Sequence, residues 1–478
     1  MSERRWRLAA WAVAAVMAAS VSVSILAIPV QTTDALVPIL QAQELPSVAA
    51  AIRASAGNEG YFRPLRIGQI QVLYEAANGQ HFYAVYKGFH VFLVCALFAC
   101  FVHVLRVRDG ADFFAATIAM TALTGIHTFL GGVSEAYPVN HFLETSVLCL
   151  FALALARSHG GWWVDLLAGL TFVLAAGTLE SGLIVGAVLA MAWLVGWRGV
   201  SWRGLLLVTL LGGAYAYLRF EILATGLPTL TERDSGFWTE RLSPAQLQAR
   251  FGKNPLPFYA YNVMSSLSSV LFAEPRAGVW AVPLQLTSEA GLTPGTLLNI
   301  GSSTVTTLLL LVTAARRVPA WLRLEFDDAG RLVLVVLAVI GANAAISYGY
   351  TKDEILNTAG IFYAAAAFAA IREMLRSVAG RPPYTVVTTF GQVAVVLVLF
   401  ALGSGWVVRS AGLHYHMRHI AFDVQNEWVD VDAWLHEQHA EPKNAAQRRI
   451  VQVMRDDAMS RQVTNPFFFP RWAERWFQ

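Results

Sequence analysis

The stretch LAAWAVAAVMAASVSVSILAI, from Leu8 to Ile28, runs without a single charge. At about twenty residues it has the length that one helical crossing of a bilayer's hydrocarbon core demands. VVTTFGQVAVVLVLFALGSGWVV, from Val386 to Val408, repeats the pattern near the other end of the chain. Between them the same composition persists: of 478 residues, 56% are hydrophobic and only 14% charged, with a mean hydropathy of +0.49. A soluble domain carries about 25% charged residues, so this chain has roughly half the usual supply of solvating side chains. It needs lipid as its solvent. The net charge of +3 is spread over connections and leaves no nucleic-acid footprint.

The spacing predicts spans near 8–29, 83–105, 112–130, 142–156, 163–178, 182–197, 204–224, 295–315, 331–348, 356–371 and 385–407. The expected fold is therefore an all-α polytopic membrane bundle of about eleven helices with a long first outer loop bearing short helices. Arg4, Arg5 and Arg7 ahead of the first run resemble a secretory leader. The run is longer than a leader's core and no A-x-A site follows, so it reads as an uncleaved span. Arginines then mark alternate connections: Arg106/Arg108, Arg157, Arg198/Arg203, Arg316/Arg317/Arg323 and Arg372/Arg376/Arg381. The short connections near 131–141 and 179–181 carry none. The positive-inside rule makes the arginine-rich set cytoplasmic, with the N-terminus inside and the C-terminus outside. Cys95, Cys100 and Cys149 lie in apolar runs without metal or redox spacing and read as inert thiols.

The outer surface is the elaborate one. It comprises loop 30–82, loop 225–294 and a tail 408–478, the last expected to be a helical appendage on a membrane domain 1–407. The moderately apolar segment 258–281 reads as re-entrant or interfacial, because a full crossing would put Arg316 and Arg317 outside. Absence of Asn-x-Ser/Thr sites, short loops and abundant Ala and Arg point to a bacterial inner membrane, with a periplasmic outer face.

Ionisable groups at outer helix ends are the informative ones, because charge beside lipid is costly. Asp34 in Thr32-Thr33-Asp34-Ala35 suits a helix cap, and also a base that deprotonates a hydroxyl. Arg63, held extended by Pro64, suits a salt bridge or a bidentate phosphate contact. Glu135 lies in the turn between the third and fourth predicted spans. His141 and Glu144 follow one turn apart, too few ligands for a metal site unaided, so no cofactor is expected beyond a possible divalent ion. Glu180 occupies the tight turn Gly177–Gly182, capping a helix or lining a cavity. Tyr350 and Lys352 sit in the outer turn after the ninth span, where Lys352 suits a phosphate. Gly-rich phosphate loops, HExxH, GxSxG and CxxC motifs are all missing from the sequence.

Tyr61-Phe62-Arg63-Pro64-Leu65, followed by Tyr74-Glu75, Gly79, His81-Phe82-Tyr83 and His90-Val91, resembles a stretch of the GT-C glycosyltransferases. The version most similar is that of the transmembrane O-mannosyltransferases and their bacterial relatives. The loop Glu135–Glu144 resembles their second outer loop, and Leu179-Glu180-Ser181 their Lys-Glu-(Ser/Thr/Asn) turn, with Leu179 in place of the Lys. The likeness covers roughly residues 1–200 and, more loosely, 340–370. A single Asp34 stands where many members have paired acids, and no tetratricopeptide repeats follow the last span. The resemblance implies transfer of a sugar from a polyprenyl phosphate to an acceptor glycan, lipid or protein on the outer face, with inversion. On it, Asp34 is the expected base. Arg63 and Lys352 would hold the phosphate, and Glu135, Glu180, His141 and Tyr350 would bind sugar or acceptor or orient the cations. The competing expectations are a flippase for a lipid-linked sugar and a non-catalytic scaffold. The scaffold would disperse Asp34, Arg63, Glu180 and Lys352 instead of gathering them.

Overall fold

In lipid a backbone must satisfy its own polar groups, so apolar runs have little choice but to be helices. The computed structural model describes residues 2–55, 61–135, 138–224, 229–230, 232–289, 291–379, 386–463, 465 and 470–477, and each predicted apolar run lies on helix. The first is α1 (Glu3–Ala27). A π-helical turn at Thr32–Leu36 then leads into α2 (Val37–Glu44), which with that turn bends by 119° into α3 (Val48–Ser55). α4 (Pro64–Ala77) starts on its proline, which lacks a donor where the first helical turn needs none. α5 (Phe82–Leu105), α6 (Gly110–Gly125) and α7 (His127–Val133) follow.

α8 (His141–Ala156) is capped by Asn140, which accepts from the Leu143 amide, and α9 (Trp162–Thr178) comes next. A 3₁₀ turn at Glu180–Leu183 opens α10 (Ile184–Leu194), and α11 (Trp202–Tyr217) ends in a π turn at Leu218–Ile222. The large outer loop holds a hairpin of β1 (Ser235–Phe237) and β2 (Glu240–Leu242), with Ser235 opposite Leu242. It continues through α12 (Pro244–Phe251), α13 (Leu256–Phe272) and α14 (Ala281–Thr287). α15 (Pro294–Ala315), α16 (Val318–Trp321), α17 (Asp328–Ile346) and α18 (Asn357–Ala379) return to the bundle. α19 (Val386–Val429), α20 (Val431–Glu437), α21 (Ala445–Ser460) and α22 (Arg471–Phe477) complete the chain.

Among the described residues, seven helices are long and apolar enough to cross a membrane, or up to nine if each of two bent pairs counts as one span, and three further apolar helices are shorter. The protein is thus an all-α, multi-pass membrane bundle. At its centre stands α18, whose residues from Leu356 to Ile371 are buried on every side by α6, α8, α15 and α17. Its alanines permit that crowding. Gly360 is required outright, since a Cβ there would lie 2.0 Å from Thr128 Oγ1.

Two features depart from the linear reading. The predicted span 112–130 breaks by 62° between α6 and α7. The last span does not stop at 407, because α19 runs unbroken to Val429. The tail is then packed on the first loop and does not hang free. Thr32 Oγ1 donates to Glu427 at 2.6 Å, Trp428 Nε1 to the Val30 carbonyl at 2.7 Å, and Gln447 Nε2 to the Leu40 carbonyl at 3.0 Å.

Candidate functional site: an arginine-lined cavity

Tyr61 to Pro64 form the first wall. Arg63 precedes α4 with φ −130° and ψ 58°, off the extended form expected of a residue before proline, and Phe62 packs at a tilt on Tyr215 of α11 with ring centres 5.7 Å apart. Gly177 lets α4 approach α9: a Cβ there would meet Leu65 at 2.8 Å. This close seating aims Arg63 across at the turn after α9. Its Nη2 lies 2.7 Å and its Nε 2.9 Å from Glu180 Oε2. From the π turn closing α11, Arg219 Nη1 reaches 3.7 Å from Glu180 Oε1 and donates to Tyr215 Oη at 3.2 Å.

The opposite wall is the turn Ser347–Tyr350 after α17. It is fixed from behind by the polar face of α13. Asn262 Nδ2 donates to the Tyr348 carbonyl at 2.9 Å, Thr351 Oγ1 donates to the Asn262 carbonyl at 3.1 Å, and Ser266 and Thr351 share a hydrogen bond. Tyr259 meets Tyr348 edge-on. Segment 258–281 thus includes a helix whose serines and asparagine are buried against the bundle and brace the site.

The walls enclose a cavity of about 350 Å³ lined by Tyr61, Arg63, Glu180, Arg219, Tyr348 and Tyr350 together with apolar side chains. Outside the lining, Arg233 lies 5.0 Å over the Tyr350 ring and 6.0 Å from that of Tyr61. Glu232, also outside it and exposed, accepts from Tyr61 Oη at 2.9 Å. Burial pushes the Tyr61 phenol up to about 12 and raises Tyr350 as well, so both remain neutral donors near neutral pH. Leu183 and Phe220 also line the cavity and are themselves exposed, so it opens onto the apolar flank of the bundle.

Of the residues predicted to form the site, Arg63, Glu180 and Tyr350 come together here. Phe142 also lines the cavity, and its neighbour His141 is fully buried one position back, its ring packed on that of Phe142. Glu144 accepts from Gln69 at 2.6 Å. Three others lie elsewhere. Asp34 is exposed on the π turn after α1, outside the cavity lining and with no ion pair among the described residues. Lys352 pairs with Glu354 at 3.2 Å instead of facing the cavity. Glu135 is half-buried at the end of α7, also outside the lining.

A separate ion pair stands behind the turn: Asp353 Oδ2 accepts from Arg276 Nη2 and Nε at 2.9 and 3.1 Å, with His127 3.8 Å from its other oxygen. Burial would raise the Asp353 carboxyl, but the Arg276 guanidinium overcomes it and holds the group below the usual aspartate range. No group of three or more His, Cys, Asp or Glu side chains placed to hold a metal ion occurs among the described residues.

Sequence reasoning missed Arg219 and Arg233. Arg219 lies near the outer end of the predicted span 204–224. Its partner is distant in the chain, and only a charge retained in an otherwise apolar run signalled it. Comparison of the chain with protein-family models, with curated proteins and with solved structures found no match.

Proposed function

We propose that this chain is a membrane glycosyltransferase of GT-C type whose cavity takes the phosphate end of a polyprenyl-phosphate sugar on the non-cytoplasmic side of a bacterial inner membrane. One observation carries the reading: Arg63 and Arg219 converge on a single carboxylate in a cavity that opens onto the bundle's lipid-facing flank. Guanidinium forks match phosphate geometry, and buried tyrosine hydroxyls add neutral donors. Glu180 holds the two arginines in place until a phosphate arrives. An amphiphile enters with its chain along Phe220 and Leu183 and its head among the arginines.

Transfer then requires the acceptor oxygen to attack the anomeric carbon while the bond to the phosphate oxygen breaks. The acceptor's proton passes to a carboxylate and polyprenyl phosphate leaves, its charge met by the arginines. Asp34 is poorly placed for that proton. Glu232, exposed but hydrogen-bonded to the lining residue Tyr61, is the better base.

The test uses detergent-purified protein, native mass spectrometry and polyprenyl phosphate, with the neutral polyprenol as control. Retention of the phosphate alone, lost in Arg63→Met and Arg219→Met, is expected; equal retention of the neutral alcohol would sink the proposal. Transfer of radiolabelled sugar is expected to vanish in Glu232→Gln and to survive in Asp34→Asn. A second reading, binding without transfer, is favoured by the placement of Asp34 and Lys352 outside the cavity. No product from any polyprenyl-linked sugar, with lipid binding intact, would select it.

A further inference from the structure

Where α6 breaks into α7, a smaller hollow of about 60 Å³ lies against the long helix α19. Its polar lining includes His127, Arg276, Asn299, Arg409 and His416, with Trp476 of α22 also against it, and among the described residues no carboxylate belongs to it. Arg409 is 5% exposed. Its Nη1 is fully used, donating to the Asn299 carbonyl and to Ser302 and Ser303 Oγ at 3.1, 2.9 and 2.8 Å. Its guanidinium carbon stacks 4.1 Å from the Trp406 ring centre. Its Nε and Nη2 are buried with no hydrogen-bond partner among the described residues.

Those two nitrogens form one edge of the guanidinium fork, the edge that grips an anion with two parallel N–H bonds. Among the described residues no carboxylate pairs with it, the nearby Asp353 being turned to Arg276. Arg276 is already committed to Asp353, and His127 Nε2 shares a hydrogen bond with Ser269 while its Nδ1 has no partner among the described residues. A buried guanidinium without counter-ion is among the costliest arrangements a protein interior can hold. Water would satisfy its donors and leave its charge uncompensated. The hollow has several times the roughly 10–15 Å³ that one water needs, and too little for a sugar phosphate.

We infer that this hollow binds one small monovalent anion, a halide or the carboxylate of a small acid, held by Nε and Nη2 of Arg409 with His127 beside it. The anion adds a tie between α19, the α6–α7 break and α15, beside the Thr124–Ser410 and Trp406–Thr306 hydrogen bonds that already join these helices.

The experiment uses full-length protein in detergent at constant ionic strength, with potassium gluconate replaced stepwise by chloride or by formate. The melting temperature is expected to rise by a few degrees, saturably, with one or both. Arg409→Met is expected to lose this dependence. Radiolabelled chloride is expected to bind at one per chain, and its displacement by formate tells the halide from the carboxylate. No saturable rise with either anion and no radiochloride bound overturns the inference, as does an equal rise in Arg409→Met. Should Arg409→Met fail to fold, the wild-type stoichiometry decides alone.

Discussion

Replacing Gly182 by Ala tests how the cavity is held in shape. The turn Glu180–Leu183 folds back so closely on α9 that a Cβ at 182 would lie 2.1 Å from the carbonyl carbon and oxygen of Ala175 and 2.5 Å from the Ala176 amide nitrogen. These are backbone atoms of a packed helix and cannot swing aside. Ordinary contact begins at 3.4 Å, so the turn must retreat by more than an ångström. Overpacking of this kind costs about 1–3 kcal/mol. The displacement falls on Glu180, whose 2.7 Å pair with Arg63 then stretches or breaks. Gly186, on the following helix, is the control: its Cβ would have its nearest neighbour at 3.6 Å, so Ala there fits and gains up to about 1 kcal/mol of helix propensity. Thermal melts in detergent are expected to place Gly182→Ala below wild type and Gly186→Ala at or above it, with polyprenyl-phosphate binding weakened only in the former. If the two variants melt together and bind alike, the turn is not what fixes the cavity.

Lowering the pH is expected to destabilise the fold through Asp353. Its folded-state pKa lies below its unfolded value, so the Arg276–Asp353 pair contributes fully above the unfolded value and is lost as pH falls through the folded one; Asp353→Asn should flatten that part of a stability–pH curve. Trp428→Phe leaves the Val30 carbonyl without the indole donor and should cost about 1–3 kcal/mol, read as faster proteolysis of the tail in native conditions. Asn262→Ala removes the bond to the Tyr348 carbonyl, and is expected to weaken lipid-phosphate binding several-fold with the helical content unchanged. In a cysteine-free background, an impermeant thiol reagent on intact cells should label a cysteine at Gln452 but not at Arg203, both exposed positions; the reverse would invert the orientation.

The helices were legible because length and absence of charge are local properties. Runs such as Phe82–Leu105 have no other way to live in lipid. Arg63 and Glu180 were legible as polar groups forced to the outer ends of apolar segments, though Arg63 does not take the extended backbone that Pro64 predicts. The pairing of Arg219 with Glu180 was not legible, since it depends on α11 leaning against α9 and on a π turn that rotates the arginine inward. Lys352 is the only Lys or Arg of its turn, and Glu354, two residues on, takes it. The break before His127 had no proline to mark it. It follows from Gly125, where a Cβ would stand 2.9 Å from the Trp406 carbonyl. Arg409 falls just past the predicted span 385–407, because the helix that continues beyond it is only half apolar and loses the signature of a crossing.

That continuation has a mechanical meaning. At about 1.5 Å per residue the 44 residues of α19 measure some 66 Å, roughly twice the thickness of a bilayer's oily interior. The rod outlasts the first helix: His414 still reaches Ser20 and Ser24 of α1, while Glu427 and Trp428, nearly four turns on, meet Thr32 and Val30 beyond its end. Inserting or deleting one turn between His414 and Glu427 would shift the tail by about 5 Å and part it from its seat on the first loop.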